Sequence, residues 1–263
     1  MGMEDYMLNK INKGVDLLKS KYMISFKQRV FKGENYNVKY VLNTYSSSED
    51  LIVVFTSCTK VGQPARYNYV RTLDKYKCNK LFILDDFGFD NRGAYYLGKN
   101  KDFAIKDQVN LLINQVIEKL SIKRSIFVGS SKGGYAAMYF GISIKNSIII
   151  SGAPQYMLGD YLNLPGHQNI LNYIMGDIEK SSVEYLNEVM RIKIDENKHN
   201  NNLIYLHYSI NEETYDSDIK HLVYHLDNLG INTIKDIKEY VNHSDLTEFF
   251  PTFIRDTLDE QLL

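Results

Sequence analysis

The sequence predicts an α/β architecture, a mostly parallel central sheet with helices on both of its faces. Three observations predict it. Short continuous apolar runs recur along the chain, helical periodicities separate them, and one run leads straight into a Gly-x-Ser-x-Gly turn. An apolar run without alternation suits a strand buried on both faces. Alternation of such runs with helices makes the strands parallel, because parallel neighbours need a crossover between them. A length of 263 residues accommodates this as one domain, 1–263, with an ample core.

Residues 4–20 carry Tyr6, Met7, Ile11, Val15, Leu17 and Leu18 near helical spacing, which predicts a docking helix within 1–22. Arg29 to Phe31 and Tyr36 to Leu42 read as strands, followed by a polar turn at Ser46 to Asp50. Leu51 to Phe55, Leu81 to Leu84, Ser125 to Val128, Ser147 to Ile150 and Leu203 to Tyr208 are the buried strands, with a weaker candidate at Ile237 to Val241. Helices are expected over 65–75, 104–120, 133–142 and 217–229, the last stopped by Gly230. The long connection between Ile150 and Leu203 contains three short helical patterns: Tyr156 to Leu162, Asn169 to Met175 and Ser182 to Ile192. Insertions of this length are functional or helical more often than structureless, so 153–200 is expected to form a helical cap.

The richest stretch is Ser125 to Ala137, an apolar strand, then Gly129-Ser130-Ser131-Lys132-Gly133, then a helix of small residues. This is the setting of a nucleophile elbow, where a strained strand-to-helix turn lifts the serine hydroxyl above the sheet. Gly129 and Gly133 lack a Cβ, so strand and helix can approach closely around Ser131. The Lys132 N–H then lies at a helix N-terminus, where partial positive charge favours an oxyanion. Strand, elbow and helix together specify the α/β-hydrolase fold.

A serine nucleophile requires a base and an acid, in the order Ser, acid, His along this fold. His243 lies past the last candidate strand in Val241-Asn242-His243-Ser244-Asp245 and is the candidate base. His221 and His225 fall on a helical pattern and read as surface residues; no His-Glu-x-x-His spacing marks them as metal ligands. The acid should follow the penultimate strand, and Glu212 is best spaced, with Glu213, Asp216 and Asp218 as alternatives. The second oxyanion donor should come from the loop after the third strand, where Ser57 offers its N–H. Cys58 beside it reads as a small packed thiol. Arg66 and Tyr67 are candidates to contact a polar or anionic substrate, or else they form a solvated helix face.

Composition narrows the partners. Net charge is −1 with Lys and Arg dispersed, which argues against a nucleic-acid or polyanion face. Cys58 and Cys78 are too few for a disulfide framework. No apolar run is long enough to span a bilayer, and the first residues lack the apolar core of a signal peptide, so a cytoplasmic protein is expected. The chemistry requires neither a metal nor an organic cofactor.

Phe55-Thr56-Ser57, Ala65-Arg66-Tyr67-Asn68-Tyr69, Leu84-Asp85-Asp86-Phe87-Gly88, Gly129 to Tyr135 and Gly152-Ala153-Pro154-Gln155 resemble the bacterial XcbB/CpsF group of capsule-biosynthesis proteins. They are also similar to the α/β-hydrolase-like component of the accessory Sec system, linked to O-acetylation of glycans on exported adhesins. The resemblance covers most of 37–250, and its Ala-Arg-Tyr-Asn-Tyr and Gly-Ala-Pro-Gln stretches are the more particular ones. It implies a Ser–acid–His site, favours Glu as the acid, and raises acyl transfer to a saccharide. The expected function is thus an O-acyl transferase or esterase acting on a small-molecule or glycan acyl ester. A protein partner in a glycan or secretion pathway is a further expectation. The alternatives are a non-catalytic scaffold of the same fold, or a peptidase or thioesterase with the same triad.

Overall fold

The structure, a computed structural model, describes residues 14–262 apart from Asp16. Eight strands form one sheet: β1 Arg29–Lys32, β2 Asn37–Asn43, β3 Asp50–Phe55, β4 Asn79–Leu84, β5 Arg124–Ser130, β6 Ile148–Gly152, β7 Leu203–Ser209 and β8 Thr233–Lys238. Their spatial order is β1-β2-β4-β3-β5-β6-β7-β8. β1 and β2 form an antiparallel pair, β2 runs antiparallel to β4, and every later pairing is parallel. The helices are α1 Ala104–Lys119, α2 Lys132–Gly141, α3 Leu158–Asn163, α4 Gln168–Met175, α5 Lys180–Asn197, α6 Lys220–Asn228 and α7 Leu246–Leu262. This is the α/β-hydrolase fold.

Both sheet faces are apolar because the middles of the central strands are continuous apolar runs, as in Leu51 to Phe55 and Leu81 to Leu84. In β3, Leu51, Val53 and Phe55 enter one core cluster, while Ile52 and Val54 enter the other. α1, α2, α6 and the helices between β6 and β7 cover the first face; α7 and the segment 65–78 cover the second. The parallel strands all end along one edge of the sheet, and Ser131 directly follows β5 there. That edge is where ligands bind in open parallel sheets.

Three expectations shift. Residues 65–75 are turns and not a helix, because Tyr69 takes φ 58° and the chain cannot hold a right-handed spiral through it. Its apolar residues Ala65, Tyr67 and Leu73 are nevertheless buried. β8 lies four residues before the expected Ile237 to Val241, since Thr233–Lys238 is a half-exposed edge strand whose polar side chains hide its strand character. α7 had no counterpart in the expected elements, although Leu246, Phe250, Ile254 and Leu258 recur at four-residue spacing and all are buried. The three patterns in the β6–β7 connection do fold as α3, α4 and α5. Of the expected docking helix, residues 1–13 lie outside the described residues; residues 17–22 are helical and run into a π-helical turn, Met23–Lys27. Among the described residues no helix is long and apolar enough to cross a membrane.

Candidate active site

Ser131 stands between β5 and α2 with φ 53° and ψ −124°, a conformation that L-residues adopt only when the surroundings enforce it. The enforcement is visible. The Ser131 N–H donates to Gly152 O at 2.7 Å, and a Cβ on Gly129 would overlap the carbonyl oxygen of Gly133. A Cβ on Gly133 would lie 2.9 Å from Phe55 O, so α2 rests on the end of β3 at backbone distance. All ten residues of α2 are buried, which its run of Gly and Ala permits. The first N–H groups of a helix have no partners within it, and α2 begins directly after Ser131.

His243 and Glu212 come together although 31 positions separate them. His243 Nδ1 lies 2.5 Å from Glu212 Oε1, with the Glu212 carboxyl almost wholly buried. A carboxylate can only accept, so Nδ1 carries the proton and Nε2 presents a lone pair. That Nε2 is buried and has no hydrogen-bond partner among the described residues. No hydrogen bond joins it to Ser131 Oγ; the group within reach of Oγ is the Gln155 amide, at 3.5 Å. Bonds from base to nucleophile are often long in the free enzyme and close in the Michaelis complex.

The other acids are occupied elsewhere. Glu213 and Asp216 are exposed, and Asp216 pairs with Lys220 at 2.8 Å. Asp218 is buried and accepts the N–H groups of Tyr156 and Met157 at 2.5 and 2.7 Å, fastening the start of the β6–β7 connection. Burial pushes its carboxyl up to about 6, and the Glu212 charge adds to that rise, while the two N–H groups oppose it. A raised carboxyl binds protons in the folded chain more tightly than in the unfolded one. Its contribution to stability is therefore greatest below the usual carboxylate range and declines as pH rises from about 4 through about 6. Asp218→Asn, which keeps an acceptor and removes the charge, should abolish this decline. A gain on the order of 2 kcal/mol above pH 6 is expected from urea melts at pH 4 and pH 7. Parallel pH dependence in the variant would rule out Asp218 as its source.

The oxyanion-side loop departs from expectation. The Ser57 N–H already donates to Asn68 Oδ1 at 2.9 Å, and the Ser57 hydroxyl bonds Ser130 O and Oγ at 3.0 and 2.9 Å. Ser57 thus braces the loop onto β5. Tyr69 OH meets Ser130 Oγ at 2.5 Å from the other side. Asn68 and Tyr69 are site residues that the sequence reading passed over, although both lie in the Ala-Arg-Tyr-Asn-Tyr stretch. Tyr67 is buried against Phe82 with its hydroxyl on Gln28 Oε1, so it is a core residue and offers no ring to a substrate; Arg66 is half-exposed. Cys58 is exposed and not a packed thiol.

Gln155 is a second omission. It is buried, its Oε1 accepts from Tyr95 OH at 3.2 Å, and its amide is thereby turned toward Ser131. A donor held on Oγ stabilises negative charge there as the acyl–oxygen bond breaks. Gln155→Ala should lower ester turnover about tenfold, the range expected for a hydrogen bond to a charged group. Tyr95→Phe should reproduce part of that loss in the same assay; no loss in either would release Gln155 from the reaction.

Across from the elbow, Tyr161 of α3 stacks on His167 with ring centres 4.7 Å apart. Burial raises the Tyr161 hydroxyl to about 12, with Cys58, Asp218 and Glu212 adding to the rise. Burial lowers His167, and the charges of Arg92 and His243 lower it further. Tyr161 and His167 of the β6–β7 insertion thus lie within electrostatic range of Glu212 and His243. His225, expected at the surface, instead bridges Tyr156 OH at 2.8 Å and Asp195 at 3.0 Å, tying both ends of that insertion to α6.

No family model matches the sequence, and no curated protein matches it. Solved structures match its fold. The capsule O-acetyltransferase of Neisseria meningitidis serogroup A is similar with a TM-score of 0.71 at 19% identity, covering 88% of this chain and 93% of that one. The Glycosylation Associate Protein (Gap123) complex from Streptococcus agalactiae gives 0.74 at 18% identity, covering 89% of this chain and 46% of that one. FphF, a fluorophosphonate-binding serine hydrolase of Staphylococcus aureus, gives 0.59 at 11% identity, covering 90% and 97%.

Proposed function

We propose that this chain is a serine-dependent acyl-ester enzyme that transfers an acyl group, acetyl in the first instance, to a hydroxyl group of a glycan. The observation that carries the reading is the Glu212–His243 pair, with Nε2 free to accept, placed at the same end of the sheet as a strained Ser131. Ser131 Oγ attacks the donor carbonyl while His243 Nε2 takes its proton, and Glu212 stabilises the imidazolium. The carbonyl oxygen, now negative, is held by the Lys132 N–H at the start of α2. Collapse expels the donor's leaving group, which receives the proton from His243. A sugar hydroxyl then repeats the sequence in reverse, giving the new ester and free Ser131.

The capsule O-acetyltransferase was also solved in a form in complex with CoA, which makes acetyl-CoA the donor to try first. The helices α3 to α5 are the proposed cap, and such a cap favours an alcohol over bulk water as acceptor. Hydrolysis is the second reading, supported by the likeness to serine hydrolases. The Gap123 likeness supports a protein partner in a glycan or secretion pathway. Release of CoA thiol from acetyl-CoA, followed with and without a de-O-acetylated capsular polysaccharide, tests the reading. Release that depends on the polysaccharide supports transfer, release without it supports hydrolysis, and none from either donor or acetyl esters sinks both.

A further inference from the structure

We infer that Lys132 and Asp85 form a buried clamp that positions the elbow and the oxyanion-side backbone through the loop 85–97, without touching substrate. The inference rests on the acyl-transfer reading above. Lys132 directly follows the nucleophile, yet its side chain is 1% exposed and that of Asp85 is 0% exposed. Nζ donates to Asp85 Oδ2 at 2.8 Å and sits over the Tyr96 ring, 5.2 Å from its centre. The same carboxylate accepts the N–H groups of Ala94 and Tyr96 at 3.0 and 3.1 Å. A Cβ on Gly93 would collide with Nζ, so loop and ammonium meet at backbone distance.

A buried ion pair is a poor source of stability, because desolvation of both charges offsets most of their attraction. Geometry is the better account of this one. The loop lacks regular structure, and Asn91, Tyr95 and Tyr96 hold φ of 58°, 56° and 56°, which something must enforce. From the Asp85 anchor it reaches the end of β3, the loop that follows β3, and Gln155. Tyr96 OH accepts the Thr56 N–H at 2.6 Å and donates to Ile83 O at 3.0 Å, setting the end of β3. Arg92 Nη1 donates to Thr59 O at 2.9 Å, beyond Ser57 and Cys58. Tyr95 OH holds Gln155, whose amide faces Ser131 Oγ. Lys132 gives this loop a buried ion pair to the helix whose N–H receives the oxyanion, beside the ring contacts of Tyr95 with Tyr135 and of Tyr96 with Phe140.

The test compares Lys132→Met, Asp85→Asn and the double variant with the native chain. Readouts are turnover of 4-nitrophenyl acetate, melting temperature, and amide hydrogen exchange at Ala94, Tyr96 and the elbow. Either single variant leaves a buried polar partner alone and should lower Tm by about 10 °C. The double variant leaves no charge unpaired and should regain most of that loss. Its kcat should nonetheless stay about 100-fold low with KM within about twofold, as expected for a small displacement of transition-state donors. Exchange at Ala94 and Tyr96 should be faster than in the native chain. A double variant with native Tm, native kcat and native exchange would make the pair purely structural and overturn the clamp. If the native chain turns over no ester, the acyl-transfer reading fails by itself, and the exchange comparison alone decides the clamp: faster exchange supports it, native protection overturns it.

Discussion

Replacing Ser131 by alanine abolishes labelling by a fluorophosphonate probe and lowers acyl-ester turnover by about 10⁴-fold or more, the scale seen when a nucleophile of this kind is removed. The size follows from the arrangement. Without Oγ no acyl-enzyme forms, and what is left is binding and the oxyanion donors acting on a water molecule. The fold should not suffer, because the strand, the helix and the Gly152 bond to the Ser131 N–H are untouched. Ser131→Gly sharpens the test. Glycine meets no Cβ penalty at φ 53°, so this variant should be as inert as alanine yet more stable by about 1 kcal/mol, read as a rise of a few degrees in Tm. Labelling that persists in either variant would mean that another side chain carries the reactivity, and exposed Cys58 would be the first to examine with a thiol reagent.

Much of this site was legible in the sequence because its signals are local. The elbow announces itself through an apolar strand, two glycines and a helix of small residues within one short stretch. Glu212 and His243 were found from their distance past the last strands, a consequence of where strands of a parallel sheet end. What remained hidden depends on contacts between distant segments. The sequence points to the Lys132 N–H but not to its side chain, since nothing in a sequence tells an ammonium on the surface from one buried at 1% exposure. Ser57 occupies the expected loop, but that its N–H goes to Asn68 is a fact about the folded turn at 65–69. That segment reads as a helix because Ala65, Tyr69 and Leu73 fall four residues apart, yet Ala65 and Leu73 are buried from an irregular backbone. His225 shows the converse error. With His221 it reads as a helix-surface residue, yet it closes a link between Tyr156 and Asp195. Local periodicity identifies elements; it does not identify which polar side chains those elements bury.

Glu212→Gln should lower kcat by about 10³- to 10⁴-fold while leaving KM and the melting temperature nearly unchanged. The neutral amide keeps the volume of the carboxyl and can still reach Nδ1, which is why the fold survives. It fails for two reasons. Glutamine can donate to Nδ1 as readily as accept from it, so the tautomer with Nε2 as acceptor is no longer enforced. It also removes the negative charge that stabilises the imidazolium formed as Ser131 loses its proton. His243→Ala should be at least as damaging, since it removes the proposed base itself, and the double variant should lose little more than the worse single one. That non-additivity is the mark of residues acting as a unit. Glu213→Gln and Asp216→Asn serve as controls, because both side chains are exposed and the carboxylate bonded to His243 Nδ1 is that of Glu212. Steady-state rates with 4-nitrophenyl acetate across these variants separate the candidates: a loss in Glu213→Gln equal to that in Glu212→Gln would transfer the acid role, whereas additive losses in Glu212 and His243 would dissolve the triad as a functional unit.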